Sequence, residues 1–269
     1  MQNRPFTYLF WIQYLGLRYH GWQRQPGVKT VQGILERSIR YVLGHEDFTV
    51  LGASRTDSGV SCLKGAFELF LPSPLDPEQF LKTLNENLPS DIRILQGQKV
   101  PLDFNVIHHV VEKQYGYYFA VGEKPHPFWA GSLAYAGRAL DIPLMQKGAR
   151  LFVGKHDFRR FCSHGKHTDD FVREVVQAEI SKAGSVWGGV LADNMYVFRV
   201  RAGGFLMHQV RRMMAALILL GKREISLEDI SQALVSLEKS AFPPKAPANG
   251  LVLEEVVFSE ATKTPGSPT

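Results

Sequence analysis

One short run of the chain, Ala53-Ser54-Arg55-Thr56-Asp57-Ser58-Gly59-Val60, sets a carboxylate two residues from a guanidinium and two residues before a glycine. An arginine close to a carboxylate favours the charged form of the acid. A carboxylate held ionised can serve as a nucleophile or a base. Gly59 permits a tight turn close to a ligand. Asp57 is therefore the catalytic candidate, with Arg55, Thr56 and Gly59 around it. The same residues would also make an exposed ion pair at a hairpin, which stabilises a protein little.

A second group lies at 205–220, a stretch that is nearly all apolar after Arg212 and reads as a buried helix stopped by Gly221. His208, Arg211 and Arg212 fall within its first two turns, at spacings that share a face. A guanidinium near a core needs an anionic partner, and Asp57 and a phosphate both qualify. Snorkelling to solvent is the alternative. In Lys113-Gln114-Tyr115-Gly116-Tyr117, strand alternation puts both tyrosines on one face, fit either for a core or for stacking on an unstacked base. The segment Gly21-Trp22-Gln23-Arg24-Gln25 offers aromatic and amide groups. His156, Cys162, His164 and His167 are four possible metal ligands, but their spacing matches no common structural zinc pattern. No metal is expected there; Lys155, Arg159, Arg160 and Lys166 read instead as a phosphate-facing loop.

These residues need a scaffold. Aromatic and β-branched residues at 6–15 read as a strand, and Val31, Ile34, Leu35, Ile39 and Val42 recur at helical spacing before Gly44. Strands follow at 49–51, 66–71 and 92–95, with a helix opened by Asp76-Pro77. The second half repeats the rhythm: strands at 115–121, 173–180, 195–200 and 251–258, and helices at 143–152, 205–220 and from Ser226. The pattern predicts two related α+β halves, 1–104 and 105–258, and a flexible tail at 259–269.

The formal charge of +5 suits a polyanionic partner. Residues 151–212 carry ten Lys or Arg against six Asp or Glu, so the surplus is partly concentrated there. Two cysteines a hundred residues apart argue against a disulfide framework and for a reducing compartment. With no leader and no apolar run of spanning length, a soluble cytoplasmic protein with no membrane partner is expected.

Taken in order, the pieces resemble the TruA-type tRNA pseudouridine synthases. The resemblance runs from about Tyr8 to Phe258. It is carried by Gly21-Trp22-Gln23-x-Gln25, Thr30-Val31-Gln32, Arg55-Thr56-Asp57-x-Gly59-Val60, Asn87-Leu88-Pro89-x-Asp91-Ile92 and Lys113-x-Tyr115-x-Tyr117. It continues through Phe152-x-Gly154-x-His156-Asp157-Phe158, Val172-Arg173, Val210-Arg211 and Gly250-Leu251-x-Leu253. The resemblance implies two ferredoxin-like halves sharing a continuous, mainly antiparallel sheet, with the catalytic cleft between them. It implies a homodimer acting on tRNA, isomerising uridine at positions 38–40 of the anticodon arm without cofactor or metal. Asp57 resembles the essential aspartate, Arg55 the arginine that helps extrude the base, Tyr115 the tyrosine that stacks on uracil, and Arg211 the arginine paired with the carboxylate. RNA contacts are expected from Trp22, Gln23, Gln25, Thr56, Gly59, Lys113, His156, Arg159, Arg160, Arg173, His208 and Arg212. The chain departs from the family at Tyr14-Leu15-Gly16-Leu17-Arg18, at Ser61-Cys62, at Asn105-Val106-Ile107 and at Arg212-Met213-Met214. These departures bear on which RNA is chosen, and a catalytically silent RNA-binding protein on the same scaffold is the rival reading.

Overall fold

The structure, a computed structural model, describes residues 4–163, 170–184, 194–238, 240 and 242–259. His164, Lys166, His167 and residues 260–269 of the expected tail lie outside that set. The fold is mixed α/β, with mostly antiparallel strands and five α-helices among the described residues. The chain forms two compact units, one of residues 4–111 and 253–259 and one of 112–252. The divide lies between Val111 and Glu112, and residues 253–259 belong with the first unit.

In the first unit, β1 (Phe6–Tyr14) pairs antiparallel with β3 (Ser61–Leu71) on one side and β4 (Ile92–Lys99) on the other. The short β2 (Thr49–Gly52) and β10 (Leu251–Phe258) also pair with β3. Tyr8, Phe10, Ile12 and Tyr14 alternate onto one buried face of β1. Phe10 stacks on Phe67 at 5.4 Å and meets Phe80 at 5.5 Å. Burying each such side chain contributes roughly 2 kcal/mol. Phe80 belongs to α2 (Pro77–Asn87), whose Asp76 cap accepts the Glu78 and Gln79 amides. In α1 (Val31–Leu43) the Thr30 hydroxyl accepts the Gly33 amide, and Gly44 ends the helix in the left-handed region.

In the second unit, β5 (Val110–Val121) pairs with β9 (Met195–Ala202), β9 with β8 (Val172–Lys182), and β8 with β7 (Gly154–Asp157), all antiparallel. A short β6 (Ala134–Gly137) runs parallel to β5. Helices α3 (Ile142–Arg150) and α4 (Gln209–Gly221) approach so closely that a Cβ on Gly148 would sit 2.3 Å from the Leu220 side chain. A capping box between Ser226 and Asp229 starts α5 (Leu227–Val235).

One expected helix is shorter than its apolar pattern. Residues 205–208 precede α4, and His208 stands at φ 64° as the residue before its first turn. The Gln209 side chain accepts the Leu206 amide at 2.8 Å, closing a turn that competes with helix over those residues.

Candidate active site

The loop that carries Asp57 is built from β1, the segment after it, and the entry to α1. A β-bulge between Ile12 and Tyr14 shifts the register so that Tyr14 faces Cys62. The Tyr14 hydroxyl then lies 2.7 Å from the Thr56 hydroxyl, both buried. The Trp22 amide donates to the Thr56 carbonyl at 3.0 Å, the Gly59 amide to the Tyr19 carbonyl at 3.1 Å, and the Val60 amide to the Asp57 carbonyl at 3.1 Å. The Gly16 amide donates to the Ser61 hydroxyl at 2.9 Å. With the Ser58 hydroxyl, which donates to the Tyr19 carbonyl at 3.4 Å, five straps tie the loop to residues 14–22, and the Val60 bond closes its own turn.

Two glycines make the approach possible. A Cβ on Gly16 would lie 2.1 Å from the Val60 carbonyl oxygen, and one on Gly21 would lie 2.6 Å from that of Thr56. Gly21 also has φ +87°, where a side chain is strained.

Thr56 points inward and is 8% exposed, whereas Arg55 is exposed and Asp57 partly so. The buried, hydrogen-bonded Thr56 thus has a charged residue on each side, both of them accessible to solvent.

Trp22, expected as an RNA contact, is only 3% exposed: its ring packs 6.2 Å from that of Tyr14 and over Gly52. The indole supports the loop from beneath. Gln23 and Gln25 are exposed; Gln23 donates to Gln32 at 2.9 Å and Gln25 to the His20 carbonyl at 3.4 Å. Tyr19 is held from its far end, its hydroxyl donating to Asp91 at 2.7 Å while Arg18 forms an ion pair with the same carboxylate at 2.6 Å. Those contacts keep the Asp91 carboxyl below its ordinary value against the opposing effect of its burial.

In the second unit, β5 carries Lys113 and Tyr115, both half-buried, and then the fully buried Tyr117. The Tyr115 ring stands edge-on to Phe205 at 5.3 Å. Tyr117 donates to the Pro247 carbonyl at 2.9 Å, and next to it the Arg211 Nε donates to that of Ala246 at 2.8 Å. Tyr117 is thus a structural tyrosine, and Tyr115 is the one of the pair left at the surface. Burial pulls Lys113 down to about 8.

At the start of α4, the Ser163 hydroxyl is 2.7 Å from His208 Nδ1 and accepts from Arg212 at 3.3 Å, and Arg212 also donates to the Pro243 carbonyl. Arg159 pairs with Asp157 at 2.6 Å and lies over Phe171, while Arg160 reaches Glu238 at 3.3 Å and lies over Phe242. Their charges are engaged within the chain, so they brace this region. His156 faces Arg173 across β7 and β8, its Nε2 lying 3.0 Å from the Val153 carbonyl; Arg173 pairs with Asp170 at 3.2 Å. Among the described residues no group of three or more His, Cys, Asp or Glu is arranged to hold a metal.

Tyr14, Gly16, Gly21, Ser61, Asp91 and Ser163 escaped sequence reasoning as site-forming residues. The glycines carried a signal, since each precedes a shift from one element to the next, but their partners are some forty residues away.

A family model described as tRNA pseudouridine synthase matches residues 11–109 and 149–259. A protein of Acetivibrio thermocellus named tRNA pseudouridine synthase A is 32% identical over 247 residues, 92% of this chain and 97% of that one. One of the same name from Methylacidiphilum infernorum is 32% identical over 252 residues, 93% and 95% of the two chains. A third, from Desulfotalea psychrophila and named tRNA pseudouridine synthase A 2, is 32% identical over 258 residues, 90% and 95% of the two.

Proposed function

Because this chain belongs to the tRNA pseudouridine synthase family and is an isomerase of tRNA uridine, we propose that Asp57 is its catalytic residue and the anticodon arm its target. The reaction breaks the N1–C1′ bond, turns the uracil and rejoins it through C5, with no change of redox state. The observation that carries the reading is the pinned Arg55-Thr56-Asp57 segment, in which the two charged side chains flank a buried anchor. A carboxylate facing a polyanion is repelled by it, so its place on this loop calls for a chemical use. Ionised, it can attack the sugar or base, or take a proton in forming a glycal.

The other roles follow the family pattern. Arg55 helps draw the uridine out of its helix. Tyr115 stacks on the extracted base, its ring plane steadied by Phe205. Arg211 takes the part of the family arginine. Lys113, His208 and Arg212, with the exposed Gln23 and Gln25, contact tRNA. The enzyme acts as a homodimer in this reading.

Position-resolved pseudouridine mapping in cells lacking the native enzyme tests the proposal. Wild type should restore pseudouridine at positions 38–40, and Asp57→Ala and Asp57→Asn should not, while both still bind tRNA. Activity retained by Asp57→Asn would remove Asp57 from the chemistry. Restoration at another site would keep the residue and change the target.

A further inference from the structure

We propose that the Tyr14 hydroxyl is the positioning group of the catalytic loop, setting the aim of Asp57 through its hydrogen bond to Thr56. The inference rests on the reading of Asp57 as catalytic. Tyr14 is 4% exposed and touches no reacting atom in this scheme.

Three observations single it out. First, Tyr14 follows a bulge that breaks the β1–β3 register immediately before the residue in question. A regular register would pair Tyr14 with Leu63; the shift pairs it with Cys62 instead. Second, the 2.7 Å contact joins the Thr56 hydroxyl to Tyr14 inside a buried site. A hydroxyl deprived of its partner there would turn to find another. Thr56 stands between Arg55 and Asp57, so loss of its anchor loosens the backbone that carries both. Third, the first residues of β3 brace the same region: the Cys62 thiol donates to the Ile12 carbonyl at 3.7 Å, and the Ser61 hydroxyl accepts the Gly16 amide at 2.9 Å.

The reading differs from ordinary core packing in what it predicts. Tyr8 offers the comparison: it is on the same face of the same strand, 1% exposed, and its hydroxyl accepts the Leu75 amide at 2.9 Å. Each hydroxyl makes a hydrogen bond to a different segment, Tyr14 to Thr56 and Tyr8 to Leu75. Only loss of the Tyr14 hydroxyl should misaim the carboxylate.

The experiment compares Tyr14→Phe, Thr56→Val, the double variant, Tyr8→Phe and Asp57→Ala for kcat, KM and melting temperature on transcribed tRNA. Misplacement of a reacting group by about 1 Å costs on the order of a hundredfold in rate. Tyr14→Phe should accordingly lose roughly ten- to a hundredfold in kcat, with KM and melting temperature close to those of Tyr8→Phe. Thr56→Val should match it, and the double variant should be no slower than the slower single one. Wild-type kcat in Tyr14→Phe, or losses that add in the double variant, would overturn the proposal while leaving Asp57 in place. If Tyr14→Phe fails to fold, Thr56→Val decides, since it severs the same bond from the loop side. Activity persisting in Asp57→Ala would sink the reading of the site itself, and the proposal with it.

Discussion

Lys113 stands two residues before Tyr115 on β5, and the burial that lowers it to about 8 makes its charge sensitive to mildly alkaline pH. The ammonium is charged below that value and neutral above it. If it meets a tRNA phosphate, affinity should weaken as pH rises from 7 to 9, by up to about tenfold. Lys113→Arg keeps its charge throughout and should hold its affinity. Filter binding of both proteins at the two pH values checks this, and parallel losses would take Lys113 out of the interface. Single residues elsewhere show how much context matters. Trp22 is expected from the sequence as an RNA contact, and the fold leaves it 3% exposed. Arg159 is expected as an RNA contact, and in the fold it pairs with Asp157, two residues earlier.

Strand β3 carries a comparable surprise in Glu68, a fully buried carboxyl between Phe67 and Leu69. Its Oε2 accepts the Val106 amide at 2.9 Å, while Oε1 has no hydrogen-bond partner among the described residues. Burial pushes the acid up from 4.5 to about 7, and the Val106 amide only partly offsets that. Below 4.5 the group is neutral both folded and unfolded, so it adds no pH dependence. Between 4.5 and 7 the unfolded chain ionises it and the folded chain does not, and stability falls as pH rises; above 7 the loss is complete. The full span is about 3 kcal/mol. Urea denaturation at pH 5 and pH 8 should show Glu68→Gln more nearly level than wild type across that interval. An unchanged slope would mean that Glu68 is ionised in the fold. The element also explains why the loop of 103–109 sits where it does: Val106 is buried and held by a residue 38 positions earlier.

For the molecule as a whole, the +5 charge and the cations exposed near the proposed site predict binding dominated by phosphate contacts. Raising monovalent salt from 50 to 200 mM should weaken tRNA binding by on the order of tenfold or more. Asp57→Ala should keep the same salt slope, since its role is chemical. A flat response would count against the polyanion interface.

Much of the scaffold is legible in one dimension. The caps at Thr30, Asp76 and Ser226 and the stop at Gly44 act within three or four residues, so local sequence determines them. The Arg55-Thr56-Asp57 segment is equally local, because its charges, turn residue and order lie side by side. What the sequence by itself left open was everything that depends on meeting at a distance. Tyr14 reaches Thr56 across 42 residues, and Gly21 must lack a Cβ because the Thr56 carbonyl passes beside it. His208 leaves the helix that its apolar neighbours announce because Gln209 finds a better partner in Leu206. Helix caps and hydrophobic periods are short-range and can be read along the chain, whereas the seating of the Arg55-Thr56-Asp57 loop is set by hydrogen bonds and steric gaps that exist only once the chain has closed on itself.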